Sequence, residues 1–411
     1  MAKKKNKSFK KPNIFFYYLL WFISFLASKF VFNLKIKRNE IKKEKGPFVV
    51  IANHESFIDF FNLILASKRR MTFVVSNSFY NSLKIHPLIK TCRPIPKQQF
   101  QTSMQDLKTM KKVIDHNRPL ALYPAGLMPD NGISTFIPKG TGKLLKWLNC
   151  DVYFAKTEGS YLTNPKWGKC GFRKGRITLD IYKILSKEDV KNQNDDELQQ
   201  IVEQTLDYNS YNEQEVNMIP YKKGDNIEGL ENVLFRCLKC NKEYTHKIIN
   251  KNTMVCNNCN NSVIADKYGF LNKLNENDIV IKKVSDWSTK IENEIYNEIL
   301  SDENYIIEDN AIIKMINYKK HAFEEVGTCH ISLSREGFII NGTLNNSPFN
   351  KTLSTKEFVV LPFTPGRHFE IQEGLTIYRI VLNNSNSVCK WILVLKSLHK
   401  IHHMNKELSK N

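Results

Sequence analysis

The chain has 411 residues, of which 42% are apolar and 25% charged, a composition typical of globular proteins and long enough for two or three domains. No uncharged stretch reaches the roughly 18 residues of a confident membrane span, which excludes a polytopic membrane protein. The 61 Lys and Arg residues exceed the 41 Asp and Glu residues by a net charge of +20. Residues 1–45 hold 13 of the basic side chains and only two acidic ones, which indicates a localised anionic partner.

The first segment, residues 1–34, combines a basic flank with an aromatic run. MAKKKNKSFKK has six Lys and no acid, and the 17 uncharged residues Pro12–Ser28 include seven aromatic side chains. A helix of that length spans about 25 Å, short of the roughly 30 Å hydrocarbon core, and Lys29 interrupts the run. We therefore expect an uncleaved anchor that lies in an anionic membrane interface, with a true span and a buried core helix as the alternatives.

A strand, a loop and a helix are predicted over residues 47–66. PFVVIA is a short apolar run with β-branched residues, and NHESFIDFFNLILA continues with apolar residues at helical spacing. His54 falls in the loop and Asp59 one turn into the helix, so their side chains can meet at the mouth of the junction. Ser56 and Asp59 also fit a helix capping box, and His54 taken alone fits an ordinary loop histidine.

The pairing of these two residues suggests a reaction. A histidine oriented by a carboxylate can take a proton from a hydroxyl, because the acid fixes the tautomer and stabilises the imidazolium. The sequence shows no activated Ser or Cys beside His54. The pair therefore favours direct attack of a bound substrate hydroxyl on an activated acyl group, without a covalent acyl-enzyme intermediate.

From about Lys35 to Leu185 the sequence resembles the glycerolipid acyltransferases, the family of the lysophosphatidate and glycerol-3-phosphate acyltransferases. NHESFID matches the first block of that family, N-H-x-S-x-x-D. The resemblance implies an α/β domain over residues 35–216, with a mixed sheet flanked by helices, and acyl-CoA or acyl-carrier protein as the acyl donor. It also assigns the residues of the block: His54 as general base, Asp59 as its partner, and Asn53 and Ser56 as substrate-binding.

The second block of the family, which helps to hold an acceptor phosphate, corresponds to CRPIPKQQ at residues 92–99. Lys97 stands where arginine is usual. A lysine still offers a point charge to a phosphate but loses the bidentate fork of arginine, and Arg93 is a candidate substitute.

The third block departs most from the family. PAGLM, residues 124–128, stands where P-E-G-T-R is expected, so Ala125 and Met128 replace Glu and Arg. Three explanations compete: a different acceptor headgroup, a compensating set of cations, or a weakened relative that chiefly binds lipid. The substrate-binding residues predicted outside the first block are Arg93, Lys97, Pro124, Gly126 and Lys139.

A second module follows residues 217–234, whose Pro, Gly and charge predict a linker. Within residues 235–268, two C-x-x-C pairs are separated by fifteen residues, the spacing of a four-thiolate zinc ribbon: Cys237, Cys240, Cys256 and Cys259. Four ligands leave no open coordination position, so the predicted zinc is structural. Nine cysteines with one such cluster indicate a reducing compartment rather than a disulfide scaffold.

The remaining chain is predicted as a helix followed by a β-rich domain. Residues 280–302 read as a helix with a packing stripe at Trp287, Ile291, Ile295 and Ile299. Residues 310–405 contain alternating strand-like runs separated by Asn, Gly and Pro turns, and then a closing helix. This order of elements resembles a pleckstrin-homology-like domain.

Together these features predict a peripheral or monotopic enzyme of the cytoplasmic face of a membrane. It would move a fatty acyl group from acyl-CoA or acyl-carrier protein to a hydroxyl of a lysophospholipid or glycerol phosphate. The expected partners are an anionic membrane surface, the lysolipid or glycerol phosphate acceptor, and acyl-carrier protein. The alternatives are a catalytically weakened lipid-binding scaffold and a nucleic-acid-binding zinc protein, whose binding would be salt-sensitive and would survive removal of residues 1–45.

Overall fold

The computed structural model describes residues 11–82, 86–99, 103–355 and 359–408. The basic stretch 1–10 of the predicted anchor lies outside this part of the chain. The described chain divides into two compact units, which are treated separately below. The second unit comprises residues 127–136, 159–176 and everything from 208 onward, and the first unit comprises the rest.

The first unit is built on a seven-stranded sheet. Its strands are β1 Leu34–Asn39, β2 Phe48–Ala52, β3 Thr72–Ser76, β4 Ile95–Lys97, β5 Leu120–Leu122, β6 Asp151–Glu158 and β7 Ile177–Leu185. Their order is β1-β7-β6-β2-β5-β3-β4, and only the β6–β7 pair is antiparallel. The predicted mixed sheet of an α/β domain is therefore confirmed.

Helices cover both faces of this sheet. Successive residues of a strand point to opposite faces, so Val50 packs on the same side as Leu63, while Val49 packs on the side of Val113 and Leu145. All five residues of β2 are buried, as expected for a central parallel strand. The helices of the first unit are α1 Ile14–Ala27, α2 Asp59–Ala66, α3 Asn77–Ser82, α4 His86–Thr91, α5 Met104–Asp115, α6 Thr141–Leu148, α8 Lys187–Asn192 and α9 Asp195–Leu206, and α7 Ser160–Thr163 belongs to the second unit.

The α1 helix runs further than its uncharged stretch. It continues as a π-helical turn, Ser28–Phe32, and stops at Asn33, which adopts a left-handed conformation with φ of 50°. The 19 residues Ile14–Phe32 are long and apolar enough to cross a membrane by length and composition alone. One side of the helix packs on the first unit through Tyr17, whose hydroxyl accepts a hydrogen bond from the Met71 amide at 3.1 Å.

From residue 208 onward, the second unit contains α10 Ser210–Asn217 and then a four-stranded antiparallel sheet in the order β11-β10-β9-β8. These strands are β8 His246–Ile249, β9 Thr253–Cys256, β10 Ser262–Ala265 and β11 Leu271–Lys273. Helix α11 Val284–Ser301 follows, and its stripe of Trp287, Ile291, Ile295 and Ile299 is fully buried in the core of the unit. Several apolar residues of the preceding stretch 217–234 lie in the same core: Ile227, Leu230, Val233 and Leu234.

The C-terminal part of the second unit is a seven-stranded antiparallel sheet closed by one helix. The strands are β12 Ile307–Asn317, β13 Ala322–Ser334, β14 Gly337–Leu344, β15 Ser347–Leu353, β16 Phe363–Thr364, β17 His368–Glu373 and β18 Thr376–Leu382, followed by α12 Val388–Leu408. Their order is β15-β14-β13-β12-β18-β17-β16. Trp391 of α12 stacks on Phe338 and Phe369. The β-rich tail is therefore confirmed, and its likeness to a pleckstrin-homology-like domain stays a prediction.

Candidate active site

The candidate site lies at one edge of the sheet in the first unit. Strands β2, β5, β3 and β4 are neighbours and parallel, so their carboxyl ends share that edge. His54 follows β2, Tyr123 follows β5, and Lys97 is the last residue of β4. In open α/β sheets, ligands bind in the crevice outside the carboxyl ends of the strands. The topology thus places the predicted base and one predicted phosphate ligand at the edge where a substrate is expected.

The His54–Asp59 pair predicted from sequence forms in the structure. His54 Nδ1 lies 3.1 Å from Asp59 Oδ2, and the Ser56 backbone amide donates to the same oxygen at 2.8 Å. A carboxylate can only accept, so Nδ1 carries the proton and Nε2 is the basic nitrogen of the ring. The His54 side chain is 23% exposed and that of Asp59 is 1% exposed, so the carboxylate is shielded from solvent while the imidazole is partly accessible.

The position of Asp59 differs slightly from the expectation, because it is the first residue of α2 rather than a residue one turn inside it. Its bond to the Ser56 amide is one half of a capping box. The α2 helix has no side-chain hydrogen bond from its N-cap residue, Ile58. Asp59 therefore has two roles. It caps the start of α2, as the capping-box interpretation predicts, and it orients the His54 ring.

Asn53, predicted to bind substrate, has both amide atoms engaged with the backbone of β6. Its Nδ2 donates to the Thr157 carbonyl at 2.7 Å, and its Oδ1 accepts from the Thr157 amide at 2.8 Å. Both residues are 2% exposed. The geometry makes Asn53 a clasp that fixes the start of the His54 loop to the neighbouring strand.

The third block forms a tight turn after β5. The Gly126 amide donates to the Tyr123 carbonyl at 3.0 Å, and the φ of +67° at Gly126 favours glycine. The Gln99 side chain donates to the Gly126 carbonyl at 2.6 Å, which joins the second and third blocks, and Pro124 is half-buried within the turn. Ala125, at the position of the family's Glu, packs into an apolar core.

Met128, at the position of the family's Arg, belongs to the second unit. Its backbone carbonyl there accepts a hydrogen bond from the Lys166 ammonium at 3.1 Å. The two replaced positions of the third block therefore fall in different units.

The predicted cations are not all at the same edge of the sheet. Lys97 is half-buried at the carboxyl end of β4, and burial lowers the pKa of its ammonium group. Arg93 is exposed before the start of β4, at the opposite edge, where its charge acts on Arg118 just before β5. Lys139 is exposed ahead of α6. Lys97 stands two residues before Gln99, whose side chain donates to the Gly126 carbonyl in the turn after β5.

Three residues at the site were missed in the sequence. Tyr123 ends the strand-like run RPLALY, and its ring centroid lies 4.6 Å from that of His54. An aromatic residue directly before the third block was a usable signal. The backbone of Thr157 bonds to the Asn53 side chain, and the side-chain amide of Gln99 bonds to the Gly126 carbonyl. A single sequence offers no signal for such contacts between residues far apart in the chain.

The predicted four-cysteine cluster forms in the second unit. The Sγ atoms of Cys237, Cys240, Cys256 and Cys259 all lie within 4.8 Å of one another, and two cross pairs are 3.7 Å apart. Tetrahedral zinc with bonds of about 2.3 Å separates its sulfur ligands by about 3.8 Å, so the donor set fits that ion. Each C-x-x-C turn ends in an asparagine with φ of 57°, whose amide donates to the first cysteine's carbonyl: Asn241 and Asn260.

Comparisons with known proteins agree with the motif in the first unit. Residues 33–155 match the family model described as Acyltransferase. Among solved structures, the chain is similar to PlsC, the 1-acyl-sn-glycerophosphate (LPA) acyltransferase from Thermotoga maritima, at 14% identity and a TM-score of 0.40, over 46% of this chain and 76% of that chain. No curated protein matches the sequence. The family match includes β2, β4 and β5, the strands that end at the candidate site.

Proposed function

Because residues 33–155 carry a domain of the glycerolipid acyltransferase family, we propose that the chain is a membrane-associated O-acyltransferase. It moves a fatty acyl group from acyl-CoA or acyl-carrier protein to the hydroxyl of a lysophospholipid or glycerol phosphate. The observation that carries the proposal is the buried Asp59 carboxylate, 3.1 Å from His54 Nδ1 at the carboxyl edge of the parallel strands. This arrangement directs the basic nitrogen of His54 away from the acid.

The reaction needs one base. The acceptor hydroxyl gives its proton to His54 Nε2 as its oxygen attacks the thioester carbonyl carbon. The new C–O bond forms, the C–S bond breaks, and the imidazolium returns the proton to the leaving thiolate. Asp59 holds the ring orientation and stabilises the transient imidazolium charge.

Lys97 is the proposed contact for an acceptor phosphate. Burial disfavours its charged form, which is the cause of its lowered pKa, so an anion bound beside it would favour the charged form. Its ammonium donates to the Gln98 carbonyl at 3.1 Å, and the next residue, Gln99, fixes the turn at Gly126. Ala125 contributes no polar group to the acceptor, so we expect a headgroup different from that of the family's P-E-G-T-R members.

Membrane association is proposed through the outer side of α1. Tyr17, Ser24 and Phe32 are buried, and apart from Lys29 the exposed residues of the segment are mostly apolar or aromatic, among them Ile14, Phe15, Tyr18, Phe22, Ile23, Phe25 and Phe30. A helix with buried residues near its start, middle and end suits the interfacial position rather than a span. All nine cysteines are free, which favours the cytoplasmic face.

The second unit is proposed to carry a structural zinc on its four cysteines and a pleckstrin-homology-like tail. The sulfur spacing supports the metal. The seven consecutive antiparallel strands closed by one helix support the tail's likeness.

The test is turnover by the full-length protein in lipid vesicles. Labelled acyl-CoA and acyl-carrier protein are offered with a mixture of lysophospholipids and glycerol phosphate, and products are identified by mass spectrometry. His54→Ala should lower product formation by about 100- to 10,000-fold. The control is His116→Ala, which removes an exposed histidine of the same unit and should leave turnover unchanged.

A second candidate is a lipid-binding scaffold with little or no turnover, favoured by the apolar packing of Ala125 and by Met128. The scaffold predicts that no acceptor is consumed with either donor, while binding to vesicles persists. Equal product from the native protein and His54→Ala would refute the assignment of the base.

A further inference from the structure

Two buried polar atoms at the His54–Asp59 pair have no hydrogen-bond partner among the residues that the structure describes. Asp59 Oδ2 accepts from His54 and from the Ser56 amide, but Oδ1 is buried with no donor. The Tyr123 hydroxyl is also buried and has no partner. Buried polar atoms in folded proteins are nearly always hydrogen-bonded, so an orphan acceptor and an orphan donor at one site need an explanation.

The side-chain direction of Tyr123 brings it to the same side of the sheet as Asp59. Side chains alternate along β5, and Ala121 and Tyr123 lie on the face that packs with Leu63 of α2. The Tyr123 ring is 4.6 Å from that of His54, with an interplanar angle of 37°. Burial, and secondarily the charge of Asp59, raise the pKa of Tyr123 well above 10, so the phenol stays protonated and is a donor.

We propose that Tyr123 is a positioning residue of the catalytic pair, whose hydroxyl donates to Asp59 Oδ1 through one buried water. The catalytic meaning of this link rests on the proposed function. The water satisfies both orphan atoms, since it accepts from the phenol and donates to the carboxylate. It holds Asp59 so that Oδ2 stays on His54, and it draws negative charge away from that oxygen. Among the described residues, the titratable side chains of this loop, α2 and the end of β5 are His54, Glu55, Asp59 and Tyr123.

The test variant is Tyr123→Phe, which keeps the ring against His54 and removes one oxygen. Without the phenol the bridging water loses the donor that holds and polarises it, so it donates more weakly to Asp59 Oδ1 or leaves. The carboxylate then becomes a stronger partner for the imidazolium, and the titration midpoint of His54 should rise by about half a pH unit or more. The midpoint is measured by NMR on histidine-labelled full-length protein, with His54→Ala for assignment. The low-pH limb of kcat/KM should move upward by the same amount, because only the neutral imidazole accepts the proton. We expect kcat to fall by about threefold or more with little change in KM.

The matched control is Tyr182→Phe. Tyr182 lies in β7 of the same unit, with its ring against Phe154 and under the Arg38 guanidinium. Removing its oxygen should leave the His54 midpoint and the pH profile unchanged. If Tyr123→Phe also leaves both unchanged, Tyr123 only packs and the proposal is overturned.

The NMR measurement separates this proposal from the proposed function, because the His54 midpoint is readable in a protein that shows no turnover. If Tyr123→Phe does not fold, 3-fluorotyrosine at position 123 serves as the second variant. It keeps the ring and the hydroxyl but makes the hydroxyl a stronger donor, so the His54 midpoint should move downward. An unchanged midpoint in that protein would equally overturn the proposal.

Discussion

Replacing Asn53 with leucine measures how much the clasp between the His54 loop and β6 contributes to stability. Leucine fills a similar volume and excludes water, but it leaves the buried amide and carbonyl of Thr157 without the partners they have at 2.8 and 2.7 Å. A buried group left unpaired costs about 1–3 kcal/mol, so we expect a loss of about 2–6 kcal/mol in the free energy of unfolding. The free energy of unfolding of a typical domain is only about 5–15 kcal/mol, so this single change can unfold the first unit near body temperature.

The assay is denaturant unfolding of the full-length protein beside its kcat and KM in vesicles. Two compact units need not unfold together, so the loss is read from the transition that removes acyl transfer. The control Asn39→Leu removes a single bond, from Asn39 Nδ2 to the Ala66 carbonyl at 2.8 Å, and should cost at most half as much. If Asn53→Leu keeps wild-type stability but raises KM for the acceptor, Asn53 binds substrate, as the motif alone suggested, and the clasp reasoning is wrong.

Three further changes test the remaining parts of the chain. Lys97→Met should lower kcat/KM for a phosphate-bearing acceptor by about tenfold or more, against little change in Lys139→Met. Since burial lowers the pKa of Lys97, KM for that acceptor should rise with increasing pH below the ordinary lysine value of 10.5; a KM independent of pH up to that value would contradict the contact. Cys240→Ser should reduce the zinc content from one ion per chain to none, measured by elemental mass spectrometry, and should lower the melting temperature. Full zinc occupancy in that variant would exclude the four-thiolate site. Phe22→Asp should weaken binding to vesicles, measured by flotation, by about tenfold or more, because a phenyl group buried in lipid contributes about 1.5–3 kcal/mol to binding. Unchanged flotation would show that this side of α1 does not contact lipid.

Local patterns were sufficient to predict which side chains meet in two clusters. The H-x-x-x-x-D spacing across a strand, loop and helix keeps His54 and Asp59 at one junction, and the bond from the Ser56 amide holds the Asp59 carboxylate toward the His54 ring. The two C-x-x-C turns likewise placed four thiolates together, each turn closed by its own backbone bond. In both cases the determining contacts lie within a few residues of one another.

Contacts across long sequence distances could not be predicted in the same way. Thr157 is 104 residues from Asn53, and only the order of β2 and β6 in the sheet brings them together. Residues 217–234 contain the Pro, Gly and charge of a linker, yet Ile227 and Leu230 are buried because their partners come from strands and a helix much later in the chain. The length of α1 was underestimated because Lys29 on an exposed turn does not end a helix.

The altered third block and the intact first block are compatible because different strands carry them. His54 and Asp59 depend on β2 and α2, whereas the turn at Gly126 depends on β5 and its bond from Gln99. Ala125 packs into the apolar core without disturbing the 3.1 Å contact between base and acid. If the proposed function holds, the replacement of the family's Glu and Arg changes which hydroxyl is bound and leaves the His54–Asp59 contact in place. A pure lipid scaffold would have no use for a shielded carboxylate oriented on a partly exposed histidine, so this separation supports the proposal of an enzyme with a changed acceptor over the scaffold.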